Sequence, residues 1–262
     1  MRKPIIAANW KMNKAISESV DFVKDLKDLA MDIFNVEIVI CPPFISLATV
    51  AEVLKDTNLK LGAQNMYWEK SGAFTGEISP VMLRDIGCHY VIVGHSERRE
   101  YFKETDEDVH RKVKSAISFN LIPIMCLGEK LQERESGNTL DVVERQVKKG
   151  LDGLTKEEIK NLIIAYEPVW AIGTGKTASP SDANEVHKFI RSILKKLYDE
   201  EISSTIRIQY GGSVNPENID GLMKEEEVDG VLVGGASLNI NSFMKIIKGS
   251  GRPGPMKGGD QV

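Results

Sequence analysis

Eight short apolar segments recur along this chain of 262 residues, and they constrain its fold more than any other feature. They are rich in Val, Ile and Leu and nearly all apolar, as strands buried on both faces of a parallel sheet should be. Amphipathic stretches separate them, which is typical of a sheet covered by helices. The predicted strands are residues 5–9, 36–41, 59–64, 90–93, 122–126, 163–167, 206–210 and 230–233.

The stretches between these segments carry helical periodicity. Residues 17–30, 106–118, 139–151 and 181–198 are the clearest, and the last places Val186, Ile190 and Ile193 on one stripe. Ser181, directly after Pro180, is the predicted N-cap of that helix. Eight strands alternating with helices predict an α/β protein, and eight is the number that closes into a (β/α)8 barrel of about 250 residues. An open doubly wound sheet is the alternative.

The C-terminal segment has a different composition from the rest. Residues 248–262 are dense in Gly and Pro and show no apolar periodicity, so they cannot bury enough surface to offset their ordering entropy. We therefore expect one domain over residues 1–247, followed by a disordered tail or an expression-vector remnant.

Composition and charge exclude several classes of protein. The net charge of −4 argues against a nucleic-acid surface, although one pocket can still bind a small anion. Cys41, Cys88 and Cys126 show neither metal-ligand spacing nor a disulfide pattern. The N-terminus lacks a signal-peptide core, and no apolar run is long enough to cross a bilayer. We expect a cytoplasmic protein with no metal, nucleic-acid or membrane partner.

Polar and glycine residues follow the predicted strands, at the end where a barrel enzyme gathers its active site. A purely structural protein has no reason to place an amide, an ammonium, an imidazole and a carboxylate on one face. The residues at these positions are Asn9, Lys11, Gln64, Asn65, His95, Ser96, Glu97, Cys126, Gly128, Glu129, Glu167, Gly211, Gly212, Ser213, Gly234 and Gly235.

Glu167 and His95 are the strongest catalytic candidates. Glu167 ends the sixth strand just before Pro168, where partial desolvation raises the pKa of a carboxylate towards that of a useful base. His95 precedes a predicted helix start, whose N–H groups disfavour a protonated imidazole. The alternatives without catalysis are that Glu167 is a solvated carboxylate at the start of a loop and that His95 is a structural residue with its hydrogen bonds satisfied. Lys11, considered alone, would be interpreted as a solvated surface residue.

The glycines after the last two strands indicate phosphate binding. Gly211 and Gly212, and Gly234 and Gly235, lie where barrels commonly hold a phosphate on backbone N–H groups. The alternative is that these glycines serve only to form tight turns. Residues 173–178 resemble nucleotide motifs, but Trp170 replaces the first glycine of a P-loop and Pro168 separates the segment from its strand, so we reject both nucleotide readings.

Seven segments together resemble the triosephosphate isomerase family, in order and with family spacing from about residue 5 to residue 247. The tail is the one clear departure. The segments are 9–11 (Asn-Trp-Lys), 41–44 (Cys-Pro-Pro-Phe), 72–77 (Gly-Ala-Phe-Thr-Gly-Glu), 94–99 (Gly-His-Ser-Glu-Arg-Arg), 165–176, 210–213 (Tyr-Gly-Gly-Ser) and 230–238.

The resemblance implies a TIM barrel that interconverts dihydroxyacetone phosphate and glyceraldehyde 3-phosphate, a step of glycolysis and gluconeogenesis, without cofactor or metal. It assigns Glu167 as base and His95 as neutral electrophile, with Lys11 and Asn9 beside the substrate. Phosphate would be bound by Asn9, Lys11, Gly173, Ser213, Gly234 and Gly235, and Ser96, Glu97 and Cys126 would support the site.

The resemblance also implies a mobile lid and a homodimer, in which Thr75 inserts beside the partner's site. Another phosphate-binding barrel would be expected to carry a Schiff-base lysine or an extra acidic pair, and an inactive barrel would have lost a catalytic residue. The lid residues are Pro168, Val169, Trp170, Ala171, Ile172, Gly173, Thr174, Gly175, Lys176, Thr177 and Ala178.

Overall fold

The eight strands pair in chain order, each parallel to the next, and the last pairs with the first. Residues 2–172 and 178–251 are described by a computed structural model. Because Ile5 pairs with Gly230, the sheet is a closed barrel, which confirms the (β/α)8 prediction and excludes the open sheet. The strands are β1 (Ile5–Asn9), β2 (Glu37–Cys41), β3 (Lys60–Ala63), β4 (Tyr90–Val93), β5 (Ile122–Leu127), β6 (Ile163–Tyr166), β7 (Arg207–Tyr210) and β8 (Gly230–Val233).

Helices surround the barrel, and several of the longer ones present an apolar stripe to it. Short 3-10 turns lie at Val169–Ala171 and Gly235–Leu238. The helices are α1 (Ile16–Ala30), α2 (Phe44–Leu54), α3 (Pro80–Asp85), α4 (Ser96–Tyr101), α5 (Asp106–Ser118), α6 (Leu131–Glu135), α7 (Thr139–Gly150), α8 (Lys156–Ile159), α9 (Pro180–Leu197), α10 (Glu200–Thr205), α11 (Ile219–Lys224) and α12 (Ile240–Gly249).

Two separate cores explain why the strands are apolar throughout. In β1, Ile5 and Ala7 point into the barrel and pack with the inward residues of other strands. Ile6 and Ala8 point outward and pack against the helices. Successive residues of a strand face opposite sides, and here both sides are buried, so no polar alternation remains.

The start of α9 corrects one sequence prediction. The N-cap is Ser179, whose Oγ accepts the N–H of Asp182 at 3.1 Å, while Asp182 accepts the N–H of Ser179 at 3.0 Å. Ser181 lies inside the first turn. Pro180 is therefore the first helical residue, a position that needs no N–H donor.

The last helix runs slightly past the residue at which the sequence predicts the domain to end. Helix α12 continues to Gly249, beyond the predicted domain end at 247. Ser250 is fully buried, with its Oγ donating to the carbonyl of Ile246 at 2.6 Å. Residues 252–262 lie outside the described part. Within residues 2–172 and 178–251, none of the helices is both long and apolar enough to cross a lipid bilayer.

Candidate active site

Glu167 is the first residue after β6 and is 1% exposed. Its Oε2 accepts the backbone N–H of Ser96 at 2.9 Å. Its Oε1 lies 3.0 Å from Nε2 of His95 but is not aligned for a hydrogen bond, so it has no hydrogen-bond partner in residues 2–172 and 178–251. A buried carboxylate oxygen without a partner is costly. It is also free to accept a proton from a bound molecule.

His95 occupies the N-cap of α4, between the end of β4 and the helix. Its Nδ1 accepts the backbone N–H of Glu97 at 3.2 Å. The Glu97 carboxylate is 3.6 Å from Nδ1, beyond hydrogen-bond distance. Since Nδ1 is an acceptor, the ring is neutral with its proton on Nε2, the nitrogen that faces Glu167.

Lys11 joins the same site from β1, through a strained backbone. Its φ is +53°, a left-handed conformation that non-glycine residues adopt at some cost. Two contacts hold it, because its N–H donates to Asn9 Oδ1 at 3.0 Å and its carbonyl accepts Gln64 Nε2 at 2.9 Å. The ammonium lies 2.7 Å from Glu97 Oε1. The backbone thus directs a cation to the mouth of the barrel.

Glycines let other segments approach Glu167 closely. A Cβ on Gly128 would lie 1.8 Å from the carbonyl oxygen of Glu167, so only glycine fits there. A Cβ on Gly211 would lie 2.9 Å from Glu167 Cγ. The carboxylate therefore occupies space that an alanine at position 211 would take.

One of the predicted phosphate-binding residues, Gly234, lies beside Lys11. A Cβ on Gly234 would be 3.7 Å from Lys11 Nζ, and Gly235 begins the 3-10 turn. Among the described residues, no atom lies within 4 Å of the position that a Cβ on Gly235 would occupy. Ser213 is half-buried, and its carbonyl accepts Asn218 Nδ2 at 2.9 Å. Gly173 lies outside the described residues.

The first residues of the predicted lid are anchored by Glu129, which follows β5 and is fully buried. Its carboxylate accepts Trp170 Nε1 at 2.8 Å and the Tyr166 hydroxyl at 3.1 Å, and its carbonyl accepts the N–H of Val169 at 3.1 Å. Burial raises the pKa of Glu129, although the hydrogen bonds from Trp170 and Tyr166 act to lower it. Lid residues 173–177 fall outside the described part, and Ala178 beyond them is buried.

Two further predicted positions lie apart from these groups. Thr75 is exposed on the loop after β3, between Phe74 and Gly76. Asn65 is buried at the end of the same strand, where its Oδ1 accepts Lys112 Nζ at 2.8 Å. The loop that carries Thr75 is therefore tied to α5 at its base.

Cys126 is buried inside the barrel next to Glu167. Burial, and then the nearby Glu167 carboxylate, raise the pKa of its thiol well above the ordinary range. It remains a neutral thiol that packs beneath the carboxylate.

Sequence reasoning did not assign a role to Glu129, Gln64 or Arg99. Glu129 and Gln64 were found only as polar residues at strand ends, and Arg99 only as part of a motif. Their contacts reach across 41, 53 and 27 residues of sequence. No local pattern marks such contacts.

The assembled site combines one buried carboxylate, one neutral imidazole and one ammonium. Together these can remove a proton from carbon, donate a hydrogen bond to the adjacent oxygen and stabilise the charge that develops. Among residues 2–172 and 178–251, no cluster of three or more His, Cys, Asp or Glu side chains is arranged to hold a metal ion.

Comparison with known proteins is consistent with this chemistry. The family model described as triosephosphate isomerase matches residues 4–250. A protein named triosephosphate isomerase from Carboxydothermus hydrogenoformans is 59% identical over 250 residues, 95% of this chain and all of the relative. Those from Dictyoglomus turgidum and Clostridium botulinum are 58% and 55% identical, over 95% and 94% of this chain and 100% and 99% of their own lengths.

Proposed function

The chain belongs to the triosephosphate isomerase family, and we propose that Glu167 is its catalytic base and His95 its electrophile. The protein is an aldose–ketose isomerase that interconverts dihydroxyacetone phosphate and glyceraldehyde 3-phosphate. The observation that carries the assignment is the 3.0 Å separation of Glu167 Oε1 and His95 Nε2, whose side chains are both buried.

Glu167 moves the proton. The hydrogen on the carbon next to the substrate carbonyl is removed as a proton, its bonding electrons form the enediolate, and the proton returns to the neighbouring carbon. A base that serves both carbons must be buried enough to be reactive and must keep one oxygen available. Glu167 meets both conditions, because Ser96 engages Oε2 and leaves Oε1 available.

His95 acts on the substrate oxygens. The Nε2–H of the neutral ring donates to the carbonyl oxygen, and that hydrogen bond strengthens as the enediolate forms. Nε2 then gives its proton to that oxygen and takes the hydroxyl proton from the neighbouring oxygen, so the ring ends neutral and the carbonyl and hydroxyl groups have exchanged places. Triosephosphate isomerases are themselves the standard example of a neutral histidine in this role. The N–H of Glu97 on Nδ1 supports the assignment in this chain.

Lys11 and Asn9 bind the substrate between the enediolate and the phosphate. The Lys11 ammonium lies between Glu97 and Gly234, so it can stabilise anionic oxygen on either side. The backbone N–H groups at Ser213, Gly234 and Gly235, together with Gly173, would bind the phosphate. The lid at 168–178 would exclude water from the enediolate, and its anchor on Glu129 supports that role.

We also propose that two copies associate through the segments that follow β1 to β4. Thr75 lies on the exposed loop of one of these segments. Sedimentation of the wild type as an active monomer would contradict the dimer. Large apolar side chains are exposed on these same segments, at Met12, Phe44, Ile45, Phe74, Met82, Tyr101 and Phe102.

A cytoplasmic location fits the cysteines. Cys41, Cys88 and Cys126 are all free and buried. Exported proteins more commonly hold such residues in disulfides.

A coupled isomerase assay tests the catalytic assignment. The Glu167→Gln enzyme should lose a factor of about 10²–10⁴ in kcat, the usual contribution of positioned proton transfer, while KM changes little. Glu185→Gln, the same change at an exposed position on α9, is the matched control and should be as active as the wild type. Retention of more than about a tenth of kcat in Glu167→Gln would remove Glu167 from the base role.

A further inference from the structure

Arg99, on α4, reaches back to the ends of two strands that support the catalytic groups. Its Nε donates to the carbonyl of Gly94 at 2.8 Å, and its Nη2 donates to the carbonyl of Cys126 at 3.4 Å. The Gly94 peptide leads directly into His95. One guanidinium therefore bridges the end of β4 and the end of β5.

Asp106 holds this guanidinium in place from the outside of the barrel. The Oδ1 of Asp106 lies 2.6 Å from Arg99 Nη1, and its Oδ2 accepts Arg145 Nε at 3.2 Å. The Arg99 side chain is 16% exposed, so solvent screens the pair only partly. A planar guanidinium can satisfy a carboxylate and two carbonyls together, whereas a lysine ammonium cannot match that geometry.

The backbone at Gly94 is adapted to this contact. Its φ is +73°, which favours glycine. A Cβ there would lie 2.7 Å from Val109 Cγ2 and 3.2 Å from Arg99 Nη2. The peptide before His95 is therefore confined between α5 and the guanidinium.

The β5 side of the bridge leads to the base. Leu127 follows Cys126, and its carbonyl accepts the backbone N–H of Glu167 at 2.7 Å. Displacement of the end of β5 relative to β4 would therefore change the distance between the His95 ring and the Glu167 carboxylate. Arg99 touches neither side chain and acts through the two strand ends.

We propose that Arg99 is a positioning residue, which sets the geometry of His95 relative to Glu167; this rests on the catalytic roles proposed above. A misplacement of about 1 Å in a catalytic group can cost about a hundredfold in rate. We therefore expect Arg99→Gln to lower kcat about tenfold to a hundredfold, with KM within about threefold of the wild-type value. Arg99→Lys, which keeps the charge but not the bridge, should lie in between.

The control is Arg145→Gln, which removes the other partner of Asp106 without touching either strand. Its kcat should equal that of the wild type. If Arg99→Gln does not fold, Arg99→Lys and Asp106→Asn provide the same test. A folded Arg99→Gln enzyme with kcat within twofold of wild type would overturn the proposal.

A double-mutant cycle with His95→Gln separates positioning from general damage. If Arg99 acts by placing His95, the Arg99→Gln change should cost little further kcat once the imidazole is absent. If Arg99→Gln lowers kcat by the same factor in the wild type and in the His95→Gln variant, the proposal is overturned. In folded Arg99→Gln, the imidazole ¹⁵N signals of His95 should also shift, and unchanged signals count against it. If His95→Gln alone leaves kcat unaffected, the catalytic assignment fails instead.

Discussion

The two ends of the barrel differ in how completely their buried charged side chains are paired and hydrogen-bonded. At the C-terminal end, Glu167 is buried, one of its oxygens has no hydrogen-bond partner in the described part of the chain, and Lys11 is held at a positive φ. At the N-terminal end, Asp229 is fully buried, and both of its carboxylate oxygens have partners. Its carboxylate lies 2.6 Å from Arg2 Nε and 3.0 Å from Arg191 Nη2, and it also accepts the N–H of Ile208 at 3.0 Å.

Glu227 completes this second cluster, because it contacts both arginines. The cluster joins the segment before β1, helix α9 and the segment before β8. It closes the barrel at the point where its first and last strands meet. We infer that the C-terminal end of the barrel gives up stability for the proposed chemistry, while the N-terminal end contributes stability.

The largest effect on activity is expected from a substitution that crowds the Glu167 side chain. Gly211→Ala would place a Cβ 2.9 Å from Glu167 Cγ and displace the carboxylate. We expect kcat to fall about tenfold to a hundredfold with little loss of stability. Gly221→Ala on α11 is the control, because its Cβ would meet only Pro180 at an ordinary 3.4 Å. Steady-state kinetics and thermal melts check both, and normal kcat in Gly211→Ala would show that the carboxylate does not need this space.

Removing the charge of Asp229 at the N-terminal end should have the opposite effect, a loss of stability without a loss of activity. Asp229→Asn leaves two arginines around a neutral amide, and breaking a buried ion pair costs about 3 kcal/mol. We expect urea unfolding to show a loss of about that size, with kcat unchanged at a temperature where the variant is folded. A fall in kcat without a fall in stability would assign this cluster to the site.

His187, which adjoins this cluster, should make the same end sensitive to acid. Burial lowers its pKa from 6.5 to about 4. Its Nδ1 donates to the Glu227 carbonyl at 3.0 Å, Nε2 has no partner within the described residues, and Arg191 and Glu227 are its charged neighbours.

The sign of the effect follows from these two pKa values. Because the unfolded state binds the proton more tightly, the free energy of unfolding should be steady above pH 6.5 and fall by about 3 kcal/mol towards pH 4. His187→Asn should flatten that slope in urea titrations across this range. An equal slope in both proteins would show that other groups cause the acid sensitivity.

The smallest effect is expected at the C-terminus. Truncation after Gly251 removes only the Gly- and Pro-rich residues 252–262 and should leave the melting temperature unchanged. Truncation after Lys248 also removes Ser250, which is buried and hydrogen-bonded to Ile246, and should cost about 1 kcal/mol. Equal melting temperatures for the two truncations would contradict the importance of Ser250.

Much of the fold was predictable because its signals are local. The bounds of β1, β4 and β8 agree with the sequence prediction, since polar, glycine or proline residues flank each apolar run. The start of α9 was not predictable in the same way. Serines lie on both sides of Pro180, and only the hydrogen bonds between Ser179 and Asp182 decide between them.

The sequence predicts the candidate site only as far as the positions of the strand ends determine it. Glu167 is the first residue after β6 and His95 the second after β4, so the topology alone brings them to one rim of the barrel. The Arg99 bridge was not predictable, because a guanidinium reaching two carbonyls depends on side-chain paths in three dimensions. The Nδ1 contact that makes His95 neutral likewise depends on the local turn of the backbone.

The most direct test of the division between the two ends is the stability of Glu167→Gln, measured by urea unfolding at pH 7. If Glu167 is present for chemistry at a cost to folding, removing its charge should leave the free energy of unfolding unchanged or raise it. That outcome should accompany the loss of kcat. A loss of more than about 2 kcal/mol would show that the buried carboxylate stabilises the barrel, and would contradict the account.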